Sequence, residues 1–85
     1  MKLSRTDRFK KDYQKLPQRI QKQTNQKLAF LLQDIRHPSL RVKKLKGEYS
    51  LFELSITMNY RLLFTIEDEA YVLRRIGTHT DMLGR

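Results

Sequence analysis

Eighty-five residues suffice for one small core and leave no room for a second, so residues 1–85 are expected to form a single domain. Eighteen Lys and Arg against nine Asp and Glu give a formal charge of +9, which favours a polyanionic partner: nucleic acid, the ribosome or an acidic protein. The absence of cysteine excludes disulfides and thiolate metal sites and fits a cytoplasmic location. No apolar run approaches the roughly 18 residues of a membrane span, and the polar N-terminus does not read as a signal peptide.

Lys2–Arg5 reads as a short edge strand, after which Thr6 or Asp7 caps a helix. In that helix Phe9, Tyr13 and Leu16 recur at i, i+4 and i+7 and form an apolar stripe, with Lys10, Lys11 and Lys15 outside it. Asp7 and Asp12 read as cap or helix surface. Pro17 cannot continue a helix but suits the first turn of a new one. The second helix is expected from Pro17 to Ile35, with Ile20, Thr24, Leu28, Leu31 and Ile35 as its stripe. Arg19, Lys22 and Lys27 occupy its outer face. His37-Pro38 ends it, because a residue before proline avoids the helical region. His37 itself reads as a surface residue at a helix C-terminus, where a cation suits the dipole.

Leu40–Gly47 is a basic segment leading into a sheet, and Gly47-Glu48-Tyr49-Ser50 is a turn. From Leu51 to His79 three apolar runs are separated by Met58-Asn59 and by Glu67-Asp68-Glu69. Phe52, Leu54 and Ile56 share one parity, as do Tyr60, Leu62, Phe64 and Ile66, a period-two pattern that predicts an antiparallel meander with one face on a core. The fold expected is α+β: a helical hairpin packed on one face of an antiparallel sheet of about four strands. Phe9, Leu28, Leu31, Phe52, Leu54, Leu62, Phe64 and Val72 are the expected core. Residues 78–85 suffice for a short tail or one helical turn.

If the third run keeps its phase, the opposite sheet face carries Glu53, Ser55, Arg61 and Arg75 and leads to His79 at the exit of the last strand. Metal sites are not supported: two distant histidines, no cysteine and an acidic triplet at a hairpin tip make no ligand set, so neither metal nor cofactor is expected. No glycine-rich loop is present to cradle a phosphate. RNA cleavage is within reach of these side chains, since a ribose 2′-hydroxyl attacks its own phosphate once a base takes its proton and cations stabilise the crowded phosphorus. His79 supplies proton transfer; Arg61, Arg74 or Arg75 and the Lys43, Lys44, Lys46 cluster supply charge.

Val42-Lys43-Lys44-Leu45-Lys46-Gly47, the strand start at Tyr60-Arg61 and the terminal run Ile76-Gly77-Thr78-His79-Thr80-Asp81-Met82-Leu83-Gly84 together resemble the RelE/ParE superfamily of toxins over nearly the whole chain. The terminal run is most similar to the YafQ-like branch, in which a Gly-Thr-His is followed four positions on by an apolar or aromatic residue, here Leu83. The resemblance implies a ribosome-dependent endoribonuclease that cuts mRNA and is silenced by a cognate acidic antitoxin. It assigns His79 and Arg61 to catalysis, and Lys43, Lys44, Lys46, Arg74, Arg75 and Leu83 to RNA contact. Relatives place lysine or histidine where this chain has Glu53 and Ser55, so Glu53 becomes a candidate general base. The alternative is a ParE-like toxin that acts by protein contact, on DNA gyrase, without cutting RNA.

Overall fold

The computed structural model describes residues 1–45 and 50–82. The expected turn at residues 47–50 therefore lies largely outside the described residues, as do the candidate contacts Lys46 and Leu83. The chain runs β1 (Lys2–Arg5), α1 (Asp7–Gln14), α2 (Gln18–Gln33), β2 (Lys43–Lys44), β3 (Leu51–Ser55), β4 (Tyr60–Glu67), β5 (Ala70–Thr78) and α3 (His79–Met82).

Thr6 starts α1 as its side-chain oxygen accepts the Phe9 N–H at 3.1 Å, satisfying a donor that the first helical turn leaves open. The same hydroxyl donates to the Leu73 carbonyl at 2.8 Å and so ties the helix start to β5. Pro17 is the N-cap of α2, and its carbonyl accepts the first two helical bonds, from Ile20 and Gln21. Gln21 Nε2 donates back to the Tyr13 carbonyl at 2.9 Å, which closes the hairpin between the helices. Helix α2 stops at Gln33, before the expected end at Ile35. Asp34 is extended, and its carboxylate accepts the Arg36 N–H at 2.9 Å, a local turn that competes with the next helical bond.

The sheet order is β1-β5-β4-β3-β2. It has five strands, not four, and is not wholly antiparallel: β1 pairs with β5 in parallel, Lys2 facing Ala70 and Arg5 facing Leu73. Parallel neighbours need a long crossover, and the two helices supply it. Phe9, Ile20, Leu28 and Leu31 from the helices bury themselves against Leu54, Leu62, Phe64, Tyr71, Leu73 and Ile76 from the sheet. Phe64 stacks on Phe52 and meets Tyr71 edge-on at centroid distances of 5.4 and 5.6 Å. Leu40, which the charge pattern assigned to a basic segment, is fully buried.

One core assignment fails. Leu63 faces Arg75 but Phe64 faces Leu73, so Arg74 is an extra residue in β5, a β-bulge. The alternation slips there: Tyr71, Leu73 and Ile76 face the helices, while Val72 pairs with Thr65 on the other side and is only half-buried. The third run does not keep its phase. Ile66, expected inside, is exposed near the hairpin tip.

Candidate functional site

The sheet face away from the helices carries the residues of interest. Pairing sets Lys43, Glu53, Leu63 and Arg75 in one row across β2 to β5, and Ser55, Arg61 and Gly77 in the next. Gly77 places no side chain beside Arg61. His79 follows two residues later, exposed, as the first residue of α3.

Glu53 is the centre of this face. Its side chain keeps only 11% of its surface, and one carboxylate oxygen lies 3.5 Å from Lys43 Nζ and 3.8 Å from Arg61 Nε. Two cations thus share one carboxylate, which leaves the group net positive. Arg61 is fixed on its other side as well: Nη1 donates to the Met58 carbonyl at 2.7 Å and to the Thr57 carbonyl, binding the guanidinium to the β3–β4 turn. A guanidinium held this way is preorganised, and charge developing above it meets a fixed donor without reorganisation.

The other expected contacts separate. Lys44 pairs with Phe52 and so takes the opposite sheet face from Lys43; the two lysines do not form one patch. Arg74 turns to the hairpin tip, where Nε donates to the Thr65 hydroxyl at 3.2 Å and Nη2 pairs with Glu67. The hydrogen bond from Thr65, and then Arg74, holds the Glu67 carboxyl below the ordinary range. Arg75 is anchored to α1: Nε lies 2.7 Å from Asp12 Oδ2, and Nη1 reaches the Met82 carbonyl at 3.5 Å. Asp12 is therefore not a surface or cap residue. It also accepts the Ile76 N–H at 3.1 Å, on the edge of β5 that β1 leaves open. The sequence carried only a partial signal: Asp12 is three residues from Phe9 and next to Tyr13, on the inward side of α1, but no local pattern names Arg75 as its partner. Among the described residues no three of His, Cys, Asp and Glu come together as a metal site.

The sequence profile described as "ParE toxin of type II toxin-antitoxin system, parDE" matches residues 3–83. This chain belongs to that toxin family. Solved structures of RelE, YoeB and YafQ toxins share its fold. RelE in the RelB–RelE antitoxin–toxin complex from Methanococcus jannaschii superimposes with a TM-score of 0.81 at 18% identity, covering 96% of each chain. The YoeB/ParE toxin from Agrobacterium tumefaciens gives 0.79 at 19% identity, over 93% of this chain and 99% of that one. A mutant of YafQ from E. coli gives 0.72 at 18% identity, over 96% and 97%. No curated protein matches the sequence.

For a toxin of this family the expected α+β architecture holds, with its hairpin of helices on one sheet face. Among the described residues, no helix is long and apolar enough to cross a membrane. Of the expected site residues, Glu53, Arg61 and Lys43 come together, with His79 at the strand exit beyond Gly77.

Proposed function

We propose that this toxin is an endoribonuclease that cuts mRNA in the ribosome and is neutralised by a cognate acidic antitoxin. The observation that carries the proposal is the Glu53 carboxylate, nearly buried yet held between Arg61 and Lys43 on an open sheet face. In this reading Glu53 takes the proton of the 2′-hydroxyl, whose oxygen then bonds to the adjacent phosphorus. Arg61 and Lys43 stabilise the added negative charge of the phosphorane. The bond from phosphorus to the 5′-oxygen breaks, and His79, in its protonated form, gives that oxygen a proton. The products are a 2′,3′-cyclic phosphate and a free 5′-hydroxyl. An antitoxin segment rich in carboxylates suits the same basic face and would exclude RNA from it; the RelB–RelE neighbour is itself a toxin–antitoxin complex.

Cleavage of mRNA on programmed ribosomes with a codon in the A site tests the assignment. His79→Ala should slow cleavage by roughly 10²–10⁴, and Arg61→Ala by on the order of 10²–10³. Glu53→Gln should fall in the range of His79→Ala. Circular dichroism checks that each variant is folded, which matters most for Arg61, a fastener of the β3–β4 turn. Undiminished cleavage by Glu53→Gln would move the base elsewhere. The second reading, a toxin acting on DNA gyrase by protein contact, is favoured by the ParE family match and by Glu53 offsetting cationic charge on this face. Growth arrest on expression with no ribosome-dependent cleavage by wild type would decide for it.

A further inference from the structure

A second basic surface adjoins the first. Where the connection from α2 to β2 meets the β3–β4 turn, a cleft of about 700 Å³ opens, lined by Lys27, His37, Arg41 and Arg61 with Ser39 and Ser55 between them. Three of these are permanent cations, and among the described residues no carboxylate lines the cleft. That separates it from the outer sheet face, where Glu53 offsets Lys43 and Arg61, and from the groove beside α1, where Asp12 holds Arg75.

The cleft's side chains are positioned rather than loose. Lys27 Nζ donates to the Ser39 carbonyl at 2.9 Å, which fixes the ammonium and leaves its charge and its remaining donors available. The His37 ring stacks on Phe30 at a centroid distance of 4.2 Å with planes 5° apart. Its Nδ1 lies 3.2 Å from the Ser39 backbone nitrogen and 2.9 Å from the Ser39 hydroxyl. A backbone N–H can only donate, so Nδ1 is the acceptor and the neutral ring carries its proton on Nε2. His37 is thus not merely a cation at a helix end, as its position in the sequence suggested; it is an oriented N–H donor. Arg41 stands in the left-handed region at φ 49°, unusual for a residue with a side chain. Its neighbour Leu40 is fully buried, with its carbonyl bonded to the Ser55 N–H at 3.0 Å, so the kink that projects Arg41 is held in place. Among the described residues no acidic side chain pairs with Arg41 or Lys27.

Arg61 belongs to both surfaces, touching Glu53 on the sheet face and lining the cleft. A strand with one phosphate at Arg61 has its next phosphate within reach of the cleft. We propose that the Lys27–His37–Arg41 cleft binds the phosphodiester adjacent to the one at Arg61, so that the toxin grips a single RNA strand on both sides of that arginine. This rests on the RNA reading of the Glu53–Arg61 face. A repeating phosphate fits the arrangement better than an acidic peptide, because the cations continue from the sheet face through Arg61 along one path.

The test uses the full chain and a short fluorescent 2′-O-methyl RNA, which lacks the attacking hydroxyl and reports binding without cleavage. Anisotropy titrations at several salt concentrations compare wild type, Lys27→Gln/Arg41→Gln and a control, Lys10→Gln/Lys22→Gln, on helix surfaces outside the cleft. Losing the two cations that hold this one phosphate of a single strand should reduce the slope of log K against log salt by about 0.7, while the control changes it much less. The His37 Nε2 resonance should shift on adding the oligonucleotide to wild type. Arg41→Gly, which suits the left-handed backbone, should weaken binding in the same direction and excludes misfolding as the cause. An unchanged slope in the double variant, or an equal loss in the control, would overturn the proposal. Equal binding of hexaglutamate, lost equally in the double variant, would overturn it in favour of an acidic peptide. Absence of ribosomal cleavage with the slope change intact would sink the nuclease reading and leave the cleft standing.

Discussion

Replacing Asp12 with alanine removes one carboxylate that serves three donors: Arg75 Nε at 2.7 Å, Arg75 Nη2 at 3.5 Å and the Ile76 N–H at 3.1 Å. The Asp12 side chain is 12% exposed and that of Arg75 24%, so neither group recovers full hydration when its partner is lost. Breaking a buried pair costs about 3–5 kcal/mol, and the residual exposure of Arg75 reduces that to roughly 2. The Ile76 N–H loses a charged acceptor at a strand edge, worth about another 1–2 kcal/mol. Asp12→Ala should therefore destabilise the fold by about 3 kcal/mol, out of roughly 4–13 for a chain of this length. Asp12→Asn keeps an oxygen for Ile76 and should cost about half as much. Urea unfolding followed by circular dichroism measures both, and the melting temperature of Asp12→Ala should fall by roughly 12–24 °C. A loss below about 0.5 kcal/mol, within the range of an ordinary surface substitution, would refute this account of the β5 edge. Equal losses for Asn and Ala would refute the role given to Ile76.

Two further outcomes follow from the packing and the hairpin tip. Phe64→Ala, at a fully buried site between the rings of Phe52 and Tyr71, should cost about 3–5 kcal/mol in the same unfolding assay. Glu67→Gln should lower the melting temperature slightly at neutral pH and not in acid. The folded-state carboxyl is held below its unfolded value, so its contribution is present above the unfolded pKa and disappears as pH falls through the folded one. A Glu67→Gln difference that persists undiminished in strong acid would contradict that assignment.

What could be read from the sequence was what is local. The alternation of Phe52, Leu54, Leu62 and Phe64 set strand direction and face correctly, and the stripe of Phe9, Leu28 and Leu31 identified the covering helices. The parallel partnership of β1 with β5 joins residues nearly seventy positions apart, as in the bond from Thr6 to Leu73 at |i−j|=67, and leaves no trace in periodicity. The bulge at Arg74 was equally hidden. A chain reading Val72-Leu73-Arg74-Arg75-Ile76 alternates acceptably in either phase until the partner strand is known, and the wrong choice turned Val72 inward. Glu53 and Arg61 were legible because they stand opposite apolar neighbours in regular strands. Asp12 and His37 were not, because each takes its role from a partner that local hydrophobic patterning does not identify: Arg75 for the one, Phe30 and Ser39 for the other.

The placement of acids explains why a chain of charge +9 does not offer its cations uniformly. Three carboxylates each take an arginine of the sheet: Asp12, from α1, takes Arg75, Glu67 takes Arg74, and Glu53 takes Arg61. The Glu67–Arg74 pair is close to neutral, and it and Asp12, which also meets Arg8 at 3.9 Å, serve the fold, Arg75 at the β5 edge and Arg74 at the hairpin. Glu53 differs from Glu67 because Lys43 also claims it, so its group keeps a surplus positive charge on the open sheet face while its guanidinium stays fixed. In the proposed reading, a phosphate approaching the open sheet face is thus drawn toward Arg61 in preference to Arg74. Lys27 and Arg41, which pair with no acidic side chain among the described residues, extend that attraction into the cleft beyond the β3–β4 turn. In the proposed nuclease reading, a glutamate where relatives carry lysine or histidine both offers the base and holds Arg61 beside Lys43 for the substrate.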